Sequence, residues 1–212
     1  MEQSLQATEY PVWFNGKTVN EALFCEEFLR EHKMLFTNGA FFTPDGRVTN
    51  PLPLRREIYD KLRTCVETGF AKRIGNIVEV LKLEAQVEDF PPEPDRIHVA
   101  NGTLLLDGTF TEGKPEIVRS RLPVAYQPDT PSPDLWLNFL TGLLYEEDIP
   151  TLQEFIGYSL IPSNKGQRMM VIKGNGGEGK SQIGAVLGRI FGSNMKDGSI
   201  GKISENRFAR AD

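Results

Sequence analysis

The chain has 212 residues, of which 39% are hydrophobic and 25% charged, the balance of a soluble globular protein with one or two domains. Its net charge of −5 argues against a surface that coats nucleic acid throughout, but leaves room for a local basic patch or a basic central channel. No apolar run approaches the ~20 residues of a membrane span, and residues 1–3 lack signal-peptide character. We therefore expect a cytoplasmic protein with no membrane partner.

Two cysteines, Cys25 and Cys65, are far apart in sequence and lack the spacing of metal ligands. In a reducing cytosol such residues remain free thiols and are usually buried. We expect this state for both.

Residues 1–90 predict an accessory region made of helices and a small hairpin. Thr18 and Glu21 have capping-box spacing and predict a helix to about Lys33. Residues 34–36 and 41–43 predict two strands joined through Asn38 and Gly39.

Two more helices are predicted between a proline-marked break at residues 50–53 and the proline-rich boundary at residues 88–95. Gly69 is expected to close the first of them; the two apolar stripes are Leu54, Ile58, Leu62, Cys65 and Val66, then Ile74, Ile77, Val78 and Leu81. Basic residues gather on these helices: Arg55, Arg56, Lys61, Arg63, Lys72 and Arg73. Because Glu57, Asp60, Glu67 and Glu79 lie among them, two interpretations stay open: contact with a DNA backbone, or a solvated face of mixed charge.

Residues 96–164 predict β-hairpins followed by two helices. Prolines at 88–95 mark the boundary before them. Residues 97–99 and 103–106 predict strands, and residues 117–118 are expected to continue the same sheet. Ser132 is predicted to cap the first helix and Thr151, with Glu154, the second.

The stretch GNGGEGKS at residues 174–181 fits the G-x-x-x-x-G-K-S pattern of a phosphate-binding P-loop. The apolar residues 169–172 before it predict a buried strand. An apolar stripe after it predicts a helix that ends near Gly192; the stripe consists of Ile183, Val186, Leu187, Ile190 and Phe191. Strand, glycine-rich loop and helix thus follow in the order that a P-loop requires.

Nucleotide binding explains the residue types in this loop. Glycines let backbone N–H groups close around a polyphosphate, and a helix N-terminus favours an anion. Lys180 is predicted to reach the β- and γ-phosphates of ATP as the catalytic residue, and the Ser181 hydroxyl to bind Mg²⁺. The predicted ATP-binding residues are Gly174, Asn175, Gly176, Gly177, Glu178, Gly179, Lys180 and Ser181.

Several short motifs precede the loop in a fixed order: NGTL at 101–104, LPVAYQP at 122–128, WLNFL at 136–140 and LQEFIGY at 152–158. With the P-loop, this succession resembles the phage and plasmid primase–helicase family, which are superfamily 3 helicases and include satellite-phage and poxvirus members. The segment NEALFCEEFL at 20–29 is also similar to prophage members.

The resemblance implies ATP-driven DNA unwinding during replication of a mobile element. Such helicases form hexameric rings around DNA, bind ATP between subunits and work with a primase or other replication proteins. Residues 96–164 then resemble the poxvirus-type helicase-associated domain, and residues 165–212 the start of the ATPase core. The expected fold class is α/β: an α+β accessory region followed by the start of a P-loop parallel sheet.

A complete site of this kind also needs an acidic strand, a polar sensor and an arginine from a neighbouring subunit. The late charged residues do not fit these roles; they are Asp197, Glu205, Arg207, Arg210 and Asp212. We therefore expect a chain that stops early in the ATPase core, with a helix at 180–191 that has little to pack against. Residues 165–212 should then be poorly ordered or depend on a partner, with weak ATP binding and no hydrolysis.

Two other functions fit parts of the sequence. The chain could be a non-catalytic module that recruits DNA or a primase to a replication protein. It could also be a P-loop kinase, although such kinases carry the loop near their start rather than at residue 174.

Overall fold

The computed structural model describes residues 10–196 and 198. Helices and two small antiparallel sheets make up these residues, so the fold is of the mixed α/β class. The chain divides into two compact units: residues up to Pro91 together with Pro115–Arg119, and Pro92–Lys114 together with the residues from Ser120 onward. None of the helices in the described ranges is both long and apolar enough to cross a bilayer.

Over its described residues, from Tyr10 onward, the first unit contains three helices and a three-stranded sheet. The helices are α1 (Glu21–Glu31), α2 (Leu52–Leu62) and α3 (Phe70–Glu84). The strands are β1 (Leu35–Thr37), β2 (Ala40–Thr43) and β3 (Gly46–Arg47), paired antiparallel in the order β1-β2-β3. Phe36 lies opposite Phe41, and Phe42 opposite Arg47.

The predicted hairpin is confirmed at Asn38 and Gly39. Both residues have positive φ, 49° and 74°, which a two-residue turn with the right twist for a hairpin requires. Asparagine and glycine adopt this conformation most readily.

Two predicted helix boundaries are wrong. Asn20 caps α1 instead of Thr18, because its side-chain oxygen accepts the Leu23 N–H at 3.2 Å. The Thr18 N–H is donated to the Asn15 side chain at 2.8 Å. Gly69 does not close α2, which ends at Leu62; it adopts a left-handed φ of 75° directly before α3.

The core of the first unit forms where α3 packs against α1 and α2. The largest fully buried residues here are Trp13, Phe24, Phe28, Ile58, Leu62, Ile77 and Leu81. Ile58, Leu62, Ile77 and Leu81 belong to the two predicted apolar stripes, whose orientation toward the core is thus confirmed. Trp13 precedes α1 and was not predicted to be buried. Burying each such side chain contributes about 1.5–3 kcal/mol before entropy is subtracted.

Lys61 ties α2 to α1 at the edge of this core. Its ammonium lies 2.9 Å from Glu27 and 2.9 Å from Glu31, and the Trp13 indole donates to Glu27 at 3.2 Å. The Lys61 hydrogen bond lowers the pKa of Glu27 despite some burial, and the Trp13 hydrogen bond lowers it further.

We expect Glu27→Gln to destabilise the protein by roughly 1 kcal/mol at pH 7, because water partly screens these groups. A carboxyl whose folded pKa is depressed stabilises the protein above its unfolded pKa, and this stabilisation is lost as pH falls through the folded pKa. The wild-type advantage should therefore shrink below about pH 4.5. Urea unfolding at pH 7 and pH 3 measures this. Glu26→Gln, in an exposed pair with Arg30, is the matched control; an equal loss there would contradict the prediction.

The two cysteines are free but differ in environment. Cys25 is fully buried, and Cys65 is half-buried. Burial, with smaller contributions from the negative charges of Glu84 and Glu21, raises the pKa of Cys25 from 9.0 to about 12. The prediction of a buried thiol is thus confirmed for Cys25 only.

This difference predicts one reactive thiol in the native protein. A pKa of about 12 leaves very little thiolate on Cys25 at pH 8, and only Cys25 is buried, so a thiol reagent should modify Cys65 quickly and Cys25 only after unfolding. Cys65→Ser should abolish the fast phase. A fast phase that persists in that variant would show that Cys25 is accessible.

The second unit begins with an antiparallel sheet. Its strands are β4 (Arg96–Val99), β5 (Gly102–Leu105) and β6 (Phe110–Glu112), in that order. Residues 117–118 do not continue this sheet, contrary to expectation: the Val118 N–H donates to the Thr43 carbonyl at 3.2 Å, within the first unit. A strand-like apolar pair does not specify its partner, and tertiary packing decides it.

The described part of the second unit continues with three α-helices, α4 (Asp134–Leu143), α5 (Asp148–Leu160) and α6 (Lys180–Phe191), and a short 3-10 helix at Gly192–Asn194. The predicted caps Ser132 and Thr151 are wrong. Pro133 occupies the cap position of α4, and α5 begins at Asp148, one turn before Thr151. Asp148 suits the positive end of the helix dipole, and Pro150 needs no hydrogen-bond acceptor in the first turn.

Candidate phosphate-binding loop

Helix α6 follows the glycine-rich loop, as predicted, and Gly192 stands at its end. Ile183 is 1% exposed and packs with Leu140 of α4 and Leu152 of α5. The expectation that this helix has little to pack against is therefore wrong. The two preceding helices supply the apolar surface against which α6 packs.

The strand predicted at residues 169–172 is not present. Met169 is 85% and Val171 77% exposed, and neither lies in a strand. An isolated extended segment leaves its backbone groups to water unless another strand pairs with it. Both sheets in the described part of the chain are antiparallel and lie elsewhere in sequence, so these residues form no parallel sheet.

The backbone of the loop curls through three left-handed residues. Gly176, Gly177 and Gly179 have φ values of 101°, 75° and 97°, which other residues adopt only with strain. Gly174 lies beneath the Glu178 carboxylate and the Lys180 ammonium, and a Cβ there would displace the ends of these two side chains. Backbone conformation thus explains three of the four glycines of the motif.

Lys180 and Ser181 are the first two residues of α6, directly after Gly179. No side chain in the described ranges caps this helix, and its first turn contains no acidic residue. Backbone N–H groups at such a terminus carry partial positive charge and need acceptors. The start of α6 is therefore suited to an anion that approaches from the loop.

Glu178 is exposed, and its side chain bridges two residues of the loop. One carboxylate oxygen accepts the Asn175 N–H at 3.1 Å, and the other lies 2.6 Å from the Lys180 ammonium. The hydrogen bond from Lys180, then the one from Asn175, lowers the pKa of Glu178. The sequence analysis counted Glu178 among the predicted ATP-binding residues. In the structure its carboxylate instead accepts hydrogen bonds from the Asn175 N–H and the Lys180 ammonium, two donors that a phosphate would use.

These residues fit Mg²⁺ bound together with a nucleotide better than Mg²⁺ alone. Ser181 offers one hydroxyl oxygen, and no group of three or more candidate metal ligands occurs in the described residues. Mg²⁺ commonly takes one or two protein oxygens and completes its shell with water and substrate phosphates. The predicted role of Ser181 is compatible with that arrangement.

The charged residues considered for the remaining parts of an ATPase site cannot be placed. Asp197, Glu205, Arg207, Arg210 and Asp212 all lie outside the described residues. The residues that the structure brings together are thus the four glycines, Glu178 and the two residues that open α6.

Comparisons with known proteins identify no relative of this chain from which a function could be transferred. A scan against models of protein families finds no match to this chain, and a search of curated proteins finds no significant match. The family resemblance of the sequence motifs therefore stays a prediction.

Proposed function

We propose that this chain binds ATP and Mg²⁺ through residues 174–181, as the nucleotide-binding part of an ATP-driven DNA-unwinding motor. One observation carries the nucleotide-binding part: left-handed glycines lead into an uncapped helix that begins with Lys180 and Ser181. This combination places backbone donors, an ammonium and a hydroxyl along one short stretch of chain. Phosphate groups are the ligands that such a set recognises.

Each residue has a defined part in the proposed binding. Backbone N–H groups of the loop and of the first turn of α6 donate to the phosphates. The Lys180 ammonium exchanges its bond with Glu178 for one with a phosphate, and the Ser181 hydroxyl binds Mg²⁺, which neutralises phosphate charge. The left-handed glycines keep side chains out of the space through which the phosphates approach.

The wider setting is supported by the order of the sequence motifs alone. It comprises a hexameric ring around DNA, ATP bound between subunits, partner replication proteins such as a primase, and a cytoplasmic location. Hydrolysis by such an assembly would need an acidic strand and a neighbouring subunit's arginine in addition to this loop.

Isothermal titration calorimetry with ATP, ADP and AMP in the presence of MgCl₂ tests the proposal. If the loop recognises a polyphosphate, ATP and ADP should bind and AMP should bind much more weakly, since it lacks the β-phosphate that Lys180 would reach. Removing Mg²⁺ with EDTA should weaken ATP binding. Equal affinity for AMP, or no ATP binding at millimolar concentration, would refute nucleotide recognition by this loop.

A non-catalytic recruiting module remains the second candidate. The first unit favours it, because it has its own buried core and contains none of the loop residues. DNA binding by the chain without any DNA-stimulated ATP hydrolysis would support this alternative. The described residues offer nothing that favours the kinase alternative.

A further inference from the structure

Each of four arginines in the first unit lies within about one helical turn of Tyr59 on α2 or Phe70 on α3. This basic–aromatic patch consists of Arg55, Arg56, Tyr59, Arg63, Phe70 and Arg73. The rings of Tyr59 and Phe70 meet edge to face, with centroids 4.9 Å apart, and so join α2 to the start of α3. The guanidinium carbons of Arg56 and Arg63 lie 5.3 and 6.0 Å from the centroid of the Tyr59 ring.

The helix faces separate charges that are mixed in the sequence. Glu57 points to His32 of α1, with 3.6 Å between carboxylate and ring nitrogen. Glu79 pairs with Lys82 at 2.7 Å, farther along α3. Lys61 forms ion pairs with Glu27 and Glu31 of α1. These charged residues of α2 and α3 thus have partners outside the basic–aromatic patch.

Asp60 contacts two arginines of the patch. Its carboxylate lies 2.9 Å from Arg56 and 3.6 Å from Arg63, and it is 46% exposed. Two arginines against this one carboxylate leave a local excess of positive charge on a protein whose net charge is −5. The side chains of Arg56 and Arg63 remain 66% and 57% exposed, so both can reach a ligand.

We propose that the basic–aromatic patch binds the phosphate backbone of a nucleic acid. Guanidinium groups donate two hydrogen bonds to one phosphate, and stacking on a ring orients them before the ligand arrives. A nucleic acid fits better than an acidic peptide, because its dense charge releases counterions when arginines bind. The inference deepens the proposed function by naming a DNA-contacting surface, but it needs no nucleotide.

Fluorescence anisotropy of the full chain with a labelled oligothymidylate and with a duplex of equal length tests this proposal. The variant Arg56→Gln with Arg63→Gln should bind about tenfold more weakly at low salt, and its plot of log affinity against log salt should be shallower by roughly two phosphate contacts. The control is Arg30→Gln with Lys82→Gln. It removes the same charge from two other helical ion pairs, with Glu26 and Glu79.

Circular dichroism and thermal unfolding establish that both variants fold. The proposal fails if the wild type binds neither oligonucleotide at 20 mM salt, if both variants lose affinity equally, or if polyglutamate of equal charge displaces the oligonucleotide as well as unlabelled DNA does. Tighter binding of the oligothymidylate or of the duplex shows whether the patch recognises single-stranded or double-stranded DNA. Because Lys180 lies outside the basic–aromatic patch, Lys180→Ala should bind the oligonucleotide as the wild type does. A failure of the nucleic-acid proposal can therefore be distinguished from a failure of the ATP-binding proposal.

Discussion

Replacing Lys180 by alanine is expected to weaken ATP binding roughly ten- to a hundredfold. A hydrogen bond to a charged group contributes about 1.5–3 kcal/mol, and Lys180 supplies the cationic side chain at the start of α6. The substitution also leaves the Glu178 carboxylate without the ammonium that now lies 2.6 Å away. An uncompensated carboxylate beside the site would repel the triphosphate further. Calorimetric titration with Mg-ATP measures the loss.

Lys165→Ala is the matched control, since Lys165 is an exposed lysine of the same unit that lies outside the loop. It should bind ATP as the wild type does. Thermal unfolding of the Lys180→Ala variant separates lost affinity from lost stability, because the Lys180 side chain is only 25% exposed. Unchanged ATP affinity in that variant would remove Lys180 from the proposed site.

Local patterns in the sequence predicted the elements that local chemistry determines. The turn at Asn38 and Gly39 follows from residues that tolerate positive φ. The buried faces of α1, α2 and α3 follow from apolar residues at helical spacing. Helix α6 and its end at Gly192 follow from the same pattern.

Features that depend on long-range partners were not predictable in this way. Residues 169–172 have the composition of a strand, but composition does not provide a neighbouring strand, and their side chains are largely exposed. The cap of α1 was predicted at the wrong residue because Thr18 and Asn20 both have side chains that suit a helix cap. The position of Asn20 depends on a contact with a distant residue, since its N–H donates to the Trp13 carbonyl at 2.8 Å.

The role of Glu178 was also missed at the level of sequence. The P-loop pattern leaves this position open, so Glu178 was counted in the predicted loop without any expectation for its side chain. The structure shows that the side chain contacts Asn175 and Lys180. A carboxylate within a sequence motif that binds anions is the signal from which a competing role for Glu178 could have been predicted.

Glu178→Gln is expected to bind ATP about three- to tenfold more tightly than the wild type. In the unliganded loop the carboxylate holds the Asn175 N–H and the Lys180 ammonium, so the triphosphate must displace an anion to reach them. Glutamine has nearly the same shape, but a neutral acceptor is held less strongly by an ammonium and does not repel phosphate. Because its pKa is lowered, Glu178 stays charged above pH 4.5, and the gain should be constant between pH 6 and pH 8. Glu154→Gln, at an exposed position of α5, removes the same charge and should change little.

Combining Glu178→Gln with Lys180→Ala distinguishes two origins of that gain. If Glu178 weakens ATP binding only through repulsion, its removal should improve affinity at least as much when Lys180 is absent, since the bare carboxylate then repels more. If it weakens binding by competing for the lysine, the improvement should shrink in the Lys180→Ala background, because there is no ammonium left to release. The double-mutant cycle reports the difference directly, and the direct 2.6 Å contact favours competition. Unchanged or weaker binding in the single Glu178→Gln variant would contradict both, and would mean that the carboxylate supports the nucleotide-bound loop.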